Sequence, residues 1–287
     1  MKPLFSHVDI KNTYEQIDDH RHTSMLIQRY AANSRDIRDV ALEGLNLEAC
    51  ERVIDLGCGY GFFTEKLKGR LAPSATIVGI DVVNRSNREA FKATVSSMSY
   101  RAEYIQDSAD IIVDMDDASW DLAIASYSLY FFPHLIPDIS RILRPDGVFI
   151  TLTHSRYSLQ EVTTLVPGCM KISGLDPPGD LRIHRLFRSF SLEEGYEQLA
   201  GYFDRVERIM YDNSLTFPLD QVRDCIDYLD KKRYLIFKEV MEMHPHKIDE
   251  VVSHFNRAVS EHAEVHGKVI ITKDDAVFRC FHPHRKD

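Results

Sequence analysis

The stretch Val53-Ile54-Asp55-Leu56-Gly57-Cys58-Gly59-Tyr60-Gly61 is the first place where residue types and spacing imply chemistry. A short apolar run enters three alternating glycines, and glycine lets a backbone turn sharply and lie against a ligand with no Cβ in the way. A helix opening just beyond turns its free N–H groups to the same spot. Such a loop binds a nucleotide-like cofactor. The dinucleotide fingerprint is G-x-G-x-x-G, but here the third glycine arrives one residue early and Phe62 takes its place, which demotes NAD. Asp81, at the end of the next β-like run, offers a carboxylate able to accept both hydroxyls of a ribose. Cys58, held between two glycines, reads as packing and not as a nucleophile.

Other reactive side chains fall later. His154 ends the run Val148 to His154, Tyr127 and Tyr130 follow Ser126, and His134 lies just beyond. If these runs are parallel strands, all four stand at the carboxyl edge, where sites form in α/β sheets. A His or Tyr there can act as a base; the competing readings are apolar packing for Tyr130 and a helix start for His134. Arg182, Arg185 and Arg188 form the densest basic stretch and can hold one anionic group. Thirteen histidines include His244-Pro-His246, His282-Pro-His284 and the His262/His266 pair, but no cysteine or carboxylate partner accompanies them, so no metal site is expected. Five cysteines without a C-x-x-C pair imply free thiols.

The elements that position these residues alternate between strand and helix, the mark of βαβ units. Strands are expected at Arg52 to Leu56, Thr76 to Asp81, Ala102 to Gln106, Asp121 to Ser126 and Val148 to His154. Phe63, Leu67 and Leu71 predict a helix after the first, and Phe91, Val95 and Met98 another after the second. Later strands are expected at Arg205 to Tyr211, Lys268 to Thr272 and Ala276 to Phe281, the last two joined by a Lys273-Asp274-Asp275 turn. Ser191-Leu192-Glu193-Glu194 has capping-box spacing and opens a helix. The fold class is therefore α/β: a Rossmann-like, seven-stranded, mostly parallel sheet with helices on both faces, an N-terminal helical lid and helical insertions near the C-terminus. Four segments are expected: a helical cap in 1–48, with two helices over Asn12 to Leu45, a cofactor-binding core in 49–155, a lid or substrate insertion in 156–200, and closing strands in 201–287 around a helical insertion at 218–266.

Residues 50–155 resemble the core of a class I S-adenosylmethionine-dependent methyltransferase, of the broad group that includes quinone- and biotin-pathway enzymes. The resemblance rests on the D-x-G-x-G-x-G loop, Gln106-Asp107-Ser108-Ala109, Trp120-Asp121-Leu122-Ala123 with Ser126-Tyr127-Ser128-Leu129-Tyr130, and Arg141-Ile142-Leu143-Arg144-Pro145-Asp146-Gly147. It covers about a third of the chain. It implies that Asp55, Gly57, Cys58, Gly59 and Gly61 line the methionine part of S-adenosylmethionine, Asp81 binds ribose, Val82 packs on adenine, and Asp107 with Ser108 meets its amino group. Ser126 joins this cofactor set. In such enzymes an N-terminal tyrosine closes over the methionine end, which brings in Tyr14. Tyr30, Tyr127, Arg156 and Arg185 are the candidate acceptor-binding residues; His154, Tyr130 and His134 are the candidate catalytic ones. The expected product is S-adenosylhomocysteine.

The 287 residues carry 35 Lys and Arg against 44 Asp and Glu, a formal net charge of −9, so a nucleic-acid partner is disfavoured. No apolar run reaches the ~20 residues of a membrane span, and a cytoplasmic location is expected. The flanks, longer than the shared core, predict a covered pocket for a small molecule. The alternatives are an enzyme acting on protein or RNA, and a non-methylating protein that only binds the cofactor. Neither acceptor nor oligomeric state is written in the sequence.

Overall fold

The computed structural model describes residues 4–83 and 85–284. They divide into two compact units, the first formed by 1–34, 156–187 and 212–274, the second by 35–155, 188–211 and 275–287.

The second unit holds all seven strands of the main sheet: β1 (Arg52–Leu56), β2 (Thr76–Ile80), β3 (Arg101–Ile105), β4 (Trp120–Ser126), β5 (Leu143–His154), β6 (Phe203–Tyr211) and, after two strands of the first unit, β9 (Asp275–Pro283). Their order is β3-β2-β1-β4-β5-β9-β6, and only β9 runs antiparallel to its neighbours. The mostly parallel, seven-stranded sheet is as expected. Its central strands β1, β2 and β4 read as near-continuous apolar runs because both faces are covered there. Among the helices, α1 (His7–Tyr14) and α2 (Ile17–Tyr30) belong to the first unit, and α3 (Ile37–Leu42) and α4 (Arg85–Ser97) to the second. Helices α3 and α4 pack on the sheet face that carries Val53, Ile77, Leu122, Ile150 and Val277. Phe91 and Val95 of α4, at the predicted four-residue spacing, are fully buried there. The second unit is completed by α5 (Ile136–Ile142) after β4 and, further on, α9 (Gly195–Ala200). A Cβ on Gly195 would meet the Phe278 ring at 2.7 Å, so a glycine starts α9 where it touches the other face. Ser191 Oγ accepts from the Glu193 and Glu194 amides just before it.

The first unit adds α6 (Gln160–Thr163), α7 (Val166–Ile172), α8 (Arg182–Ser189, its last two residues in the second unit), α10 (Val222–Asp230), α11 (Arg233–Ile236), α12 (Lys238–Met243) and α13 (Ile248–His266). It also holds a separate antiparallel pair, β7 (Ser214–Pro218) with β8 (Lys268–Thr272). Pro167 stands in the first turn of α7, where its missing N–H costs nothing.

Three sequence expectations are corrected. Three helices, not two, precede β1, because Ala31 takes an extended conformation and Asp36 caps a new start through the Arg38 amide. After β1 the predicted helix shrinks to a 3-10 turn, Thr64–Leu67; Gly69, at φ 69°, follows it, and Phe63, Leu67 and Leu71 are still buried. Lys268–Thr272 is a strand, but its partner is β7, not β9, so Lys273 to Asp275 leads from one sheet to another. Arg279 of β9 donates to the Ala41 and Val40 carbonyls at the end of α3.

Candidate active site at the carboxyl edge of the sheet

The first piece of the site is the loop after β1. Gly57, Gly59 and Gly61 have φ of 73°, 52° and 91°, the left-handed region that L side chains rarely adopt. At Gly57 a Cβ would lie 2.5 Å from Ser128 Cβ, so space as well as conformation demands glycine. Its amide and that of Cys58 donate to the Ile80 carbonyl, which fixes the loop to the end of β2. Asp81 closes the arrangement: one carboxylate oxygen accepts from Gly59 N–H at 2.7 Å, the other from Val83 N–H at 2.9 Å. Burial pushes its pKa up, against the pull of these amides. Asp55, 2% exposed, accepts from the Thr64 hydroxyl at 2.6 Å. Its pKa is pushed up to about 7, first by burial and then by the nearby Asp81 charge. Cys58 is buried, its thiol held far above its ordinary pKa, and its sulfur lies against Gly79; packing accounts for it.

The second piece follows β2 and β3. Val82 is half-buried, and Tyr104 donates to the next carbonyl, Val83 O. Asp107 is exposed and accepts from the Ser108 amide at 2.7 Å, while Ser108 caps the short helix Ala109–Asp114. Asp110 of that helix pairs with His134 Nε2 at 2.8 Å, and His134 is 61% exposed. At the end of β4, Ser126 Oγ is buried with no hydrogen-bond partner among the described residues.

The third piece stands where β4 and β5 end and the antiparallel β9 begins. Tyr127 has a left-handed φ of 55°, a strained conformation for a large side chain. Its amide nonetheless bonds Leu152 O. The twist carries its phenol to Asp275 Oδ2 at 2.7 Å. His154 Nδ1 lies 2.8 Å from Asp275 Oδ1. The Tyr127 and Tyr130 rings stack near the imidazole, with centroids 4.6 and 5.9 Å away. Burial and Asp275 hold the Tyr127 phenol well above its ordinary pKa, so it donates and does not serve as a base. Asp275, 1% exposed, was placed in a turn by the sequence, without a role. No local pattern marks it: its position follows from the antiparallel register, which sets it opposite His154.

Of the remaining predicted residues, Tyr14, Tyr30, Arg156, Arg182 and Arg185 lie in the first unit and Arg188 in the second. Tyr14 stacks on His20, with centroids 5.3 Å apart, and its carbonyl bonds the imidazole. Tyr30 packs on Phe217 and donates to Asp224. The Arg156 guanidinium lies over the Tyr157 ring. Arg185 and Arg188 are exposed, whereas Arg182 is engaged with Glu242. A cavity of about 410 Å³ opens elsewhere, beside Arg52, Thr76 and Trp120 at the starts of β1, β2 and β4. Among the described residues, no group of three or more His, Cys, Asp or Glu is arranged to hold a metal ion, and no helix is long and apolar enough to cross a membrane.

Comparisons with known proteins agree with this geometry. A family model for the methyltransferase domain matches residues 53–147. The chain is 28% identical over 189 residues to trans-aconitate 2-methyltransferase of Variovorax paradoxus (strain S110), covering 64% of this chain and 61% of that protein. It is 34% identical over 103 residues to nocamycin O-methyltransferase of Saccharothrix syringae, covering 33% of this chain and 35% of that one. The chain thus spans less than two thirds of the length of these curated relatives. Among solved structures, a Bacillus halodurans C-125 protein taken to be a methyltransferase superposes with a TM-score of 0.52 at 12% identity, covering 86% of this chain and 99% of that one, which shows a shared fold.

Proposed function

With a methyltransferase-domain model matching residues 53–147, we propose that the protein is a class I S-adenosylmethionine-dependent methyltransferase that transfers a methyl group from that cofactor to a small-molecule acceptor. The observation that carries this reading is the Asp81 carboxylate, bonded to Gly59 N–H and so held at the mouth of the glycine loop. The Ser126 hydroxyl, buried with no hydrogen-bond partner among the described residues, and the open space beside Gly59, where a Cβ would meet nothing within 4 Å, fit a ligand lying across the loop. Asp55 and Gly57 to Gly61 would hold the methionine part, Asp81 the ribose, Val82 the adenine face, and Asp107 with Ser108 the adenine amino group. Bound there, the cofactor supplies an activated methyl on a sulfonium; the protein's task is to align the acceptor in line with it and keep water out. His154, Tyr130 and His134 are the side chains available to move a proton, and Tyr127 is proposed for the acceptor. The names of both curated relatives point to small-molecule acceptors.

Calorimetry on the full chain tests the cofactor assignment. S-adenosylmethionine and S-adenosylhomocysteine should both bind with micromolar-scale affinity, because the loop, Asp81 and Asp107 meet parts the two share. A nicotinamide dinucleotide that displaces S-adenosylhomocysteine would overturn it.

A further inference from the structure

The cavity of about 410 Å³ in the second unit shares no residue with the glycine loop. Arg52, Thr76 and Val78 face it; they alternate along β1 and β2 with Val53 and Ile77, which point at α3 and α4, so it lies on the opposite face of the sheet. Across the strands Arg52 stands beside Thr76, and Val78 beside Glu103. The segment Asp114 to Asp116, between the short helix Ala109–Asp114 and β4, forms a wall. Arg141 holds that wall by donating to the Ile112, Val113 and Met115 carbonyls at 2.8, 3.0 and 2.6 Å. The cavity is therefore built on fixed backbone.

Its polar groups are unspent. Trp120, 4% exposed, lines it, yet the indole N–H has no acceptor among the described residues; a buried tryptophan N–H ordinarily finds one. The Arg52 guanidinium lies over that ring, 4.5 Å from its centroid, and forms no ion pair among the described residues. Glu103, Asp114 and Asp116 are exposed, and their carboxylates have no hydrogen bond or ion pair among the described residues either. The neighbouring Asp117 and Asp121, by contrast, are paired with Arg141 and Arg144. Three carboxylates thus share the cavity with one guanidinium, and they do not converge as a metal site would. Because β1 and β3 run about 10 Å apart across β2, a ligand that meets both Arg52 and Glu103 is extended, anionic at one end and cationic at the other.

We propose that this cavity binds a small basic amino acid, of the lysine, ornithine or arginine class. Its carboxylate accepts from Arg52, whose planar fork suits that group, and from the Trp120 indole N–H. Its methylene stem lies over the apolar Val78 and Ile105, as such stems do, and carries the side-chain cation to Glu103. Its α-ammonium meets the Asp114 to Asp116 wall. A simple acid would leave the three carboxylates without a cation, and a plain diamine would set an ammonium against Arg52. The proposal goes beyond the methyl-transfer reading and does not rest on it.

Trp120 is the single tryptophan of the chain, so its fluorescence reports on this cavity. The full chain is titrated with L-lysine, L-ornithine and L-arginine in the presence of excess S-adenosylhomocysteine, and the same titrations are followed by calorimetry. At least one of the three should change the emission saturably. Glycine, which lacks the side-chain cation, and hexanoate, which lacks both amines, should not. Cadaverine, which is lysine without its carboxylate, should bind about tenfold more weakly or less. Arg52→Gln should weaken amino-acid binding about tenfold or more and leave the cadaverine response in place; Glu103→Gln should weaken both. Both positions are exposed, and Glu103→Gln decides where Arg52→Gln does not fold. Silence of the tryptophan and the calorimeter towards all three amino acids overturns the proposal, as does equal affinity for cadaverine or an affinity that neither substitution moves. A response seen only when S-adenosylhomocysteine is left out would put the amino acid in the cofactor loop and overturn it as well. Failure of S-adenosylhomocysteine itself to bind would strike the cofactor reading and leave these titrations standing, so the two failures are distinguishable.

Discussion

Asp81 does two things at once: its carboxylate takes the Gly59 and Val83 amides, and in doing so stands ready for the hydroxyls of a ribose. Asp81→Ala should remove charge-assisted hydrogen bonds of about 1.5 to 3 kcal/mol each. Affinity for S-adenosylhomocysteine should drop at least tenfold with a native circular dichroism spectrum; unchanged affinity would mean that the ribose lies elsewhere. Asp55 answers to pH. Its folded pKa of about 7 is above the ordinary carboxyl value, so between roughly pH 4 and 7 the native state binds the extra proton. The stability this group contributes is full below the unfolded pKa and is lost as pH rises through the folded one. Thermal midpoints from pH 4 to 8 should therefore decline in the wild type relative to Asp55→Asn, and parallel curves would refute the buried-acid reading. Asp55, Gly57 and Asp81 were legible in the sequence because a strand, a glycine loop and the next strand end are local patterns. Asp275 was not, because 121 residues separate it from His154 and only strand pairing brings them together.

At the scale of elements, β9 ties the second unit together through Arg279, which is 8% exposed. Its guanidinium lies where the carbonyls at the end of α3 lack helical partners, and it donates to Ala41 and Val40. Arg279→Met keeps the volume but leaves both carbonyls unsatisfied. It should cost about 2 to 3 kcal/mol, with hydrogen exchange accelerated first in α3; a midpoint within a degree of wild type would mean that water replaces the bonds. Strand existence was readable here from β-branched and apolar runs, and six of the seven main-sheet strands fall within a residue or two of their predicted bounds. The exception is β5, which begins at Leu143 because the Arg144-Pro145-Asp146-Gly147 turn is absorbed into a longer irregular strand, with a register shift against β4. Partner choice was less readable: Lys268–Thr272 has the pattern of any half-buried strand, and nothing local says that Ser214–Pro218 will take it.

At the scale of the whole molecule, three separate stretches of chain make the first unit, and ion pairs show how they are joined. Glu242 on α12 accepts from Arg182 at the start of α8 and from Lys238, and Lys238 also bonds Asp9 of α1. The Arg182 amide donates to the nearly buried Glu239. Residues near the chain start, the middle excursion and the late helices thus meet around one carboxylate, whose pKa these cations hold below its ordinary range. Exposed pairs are worth about 1 kcal/mol or less each, but here they join partners 60 and 229 residues apart in the chain. Glu242→Gln should therefore loosen the unit as a block: amide exchange in α1, the start of α8 and α12 should speed up together, by up to about tenfold, while β1 and β4 keep wild-type protection. Exchange that rises in α12 alone would mean that the three stretches open independently and that Glu242 is a surface contact without a joining role.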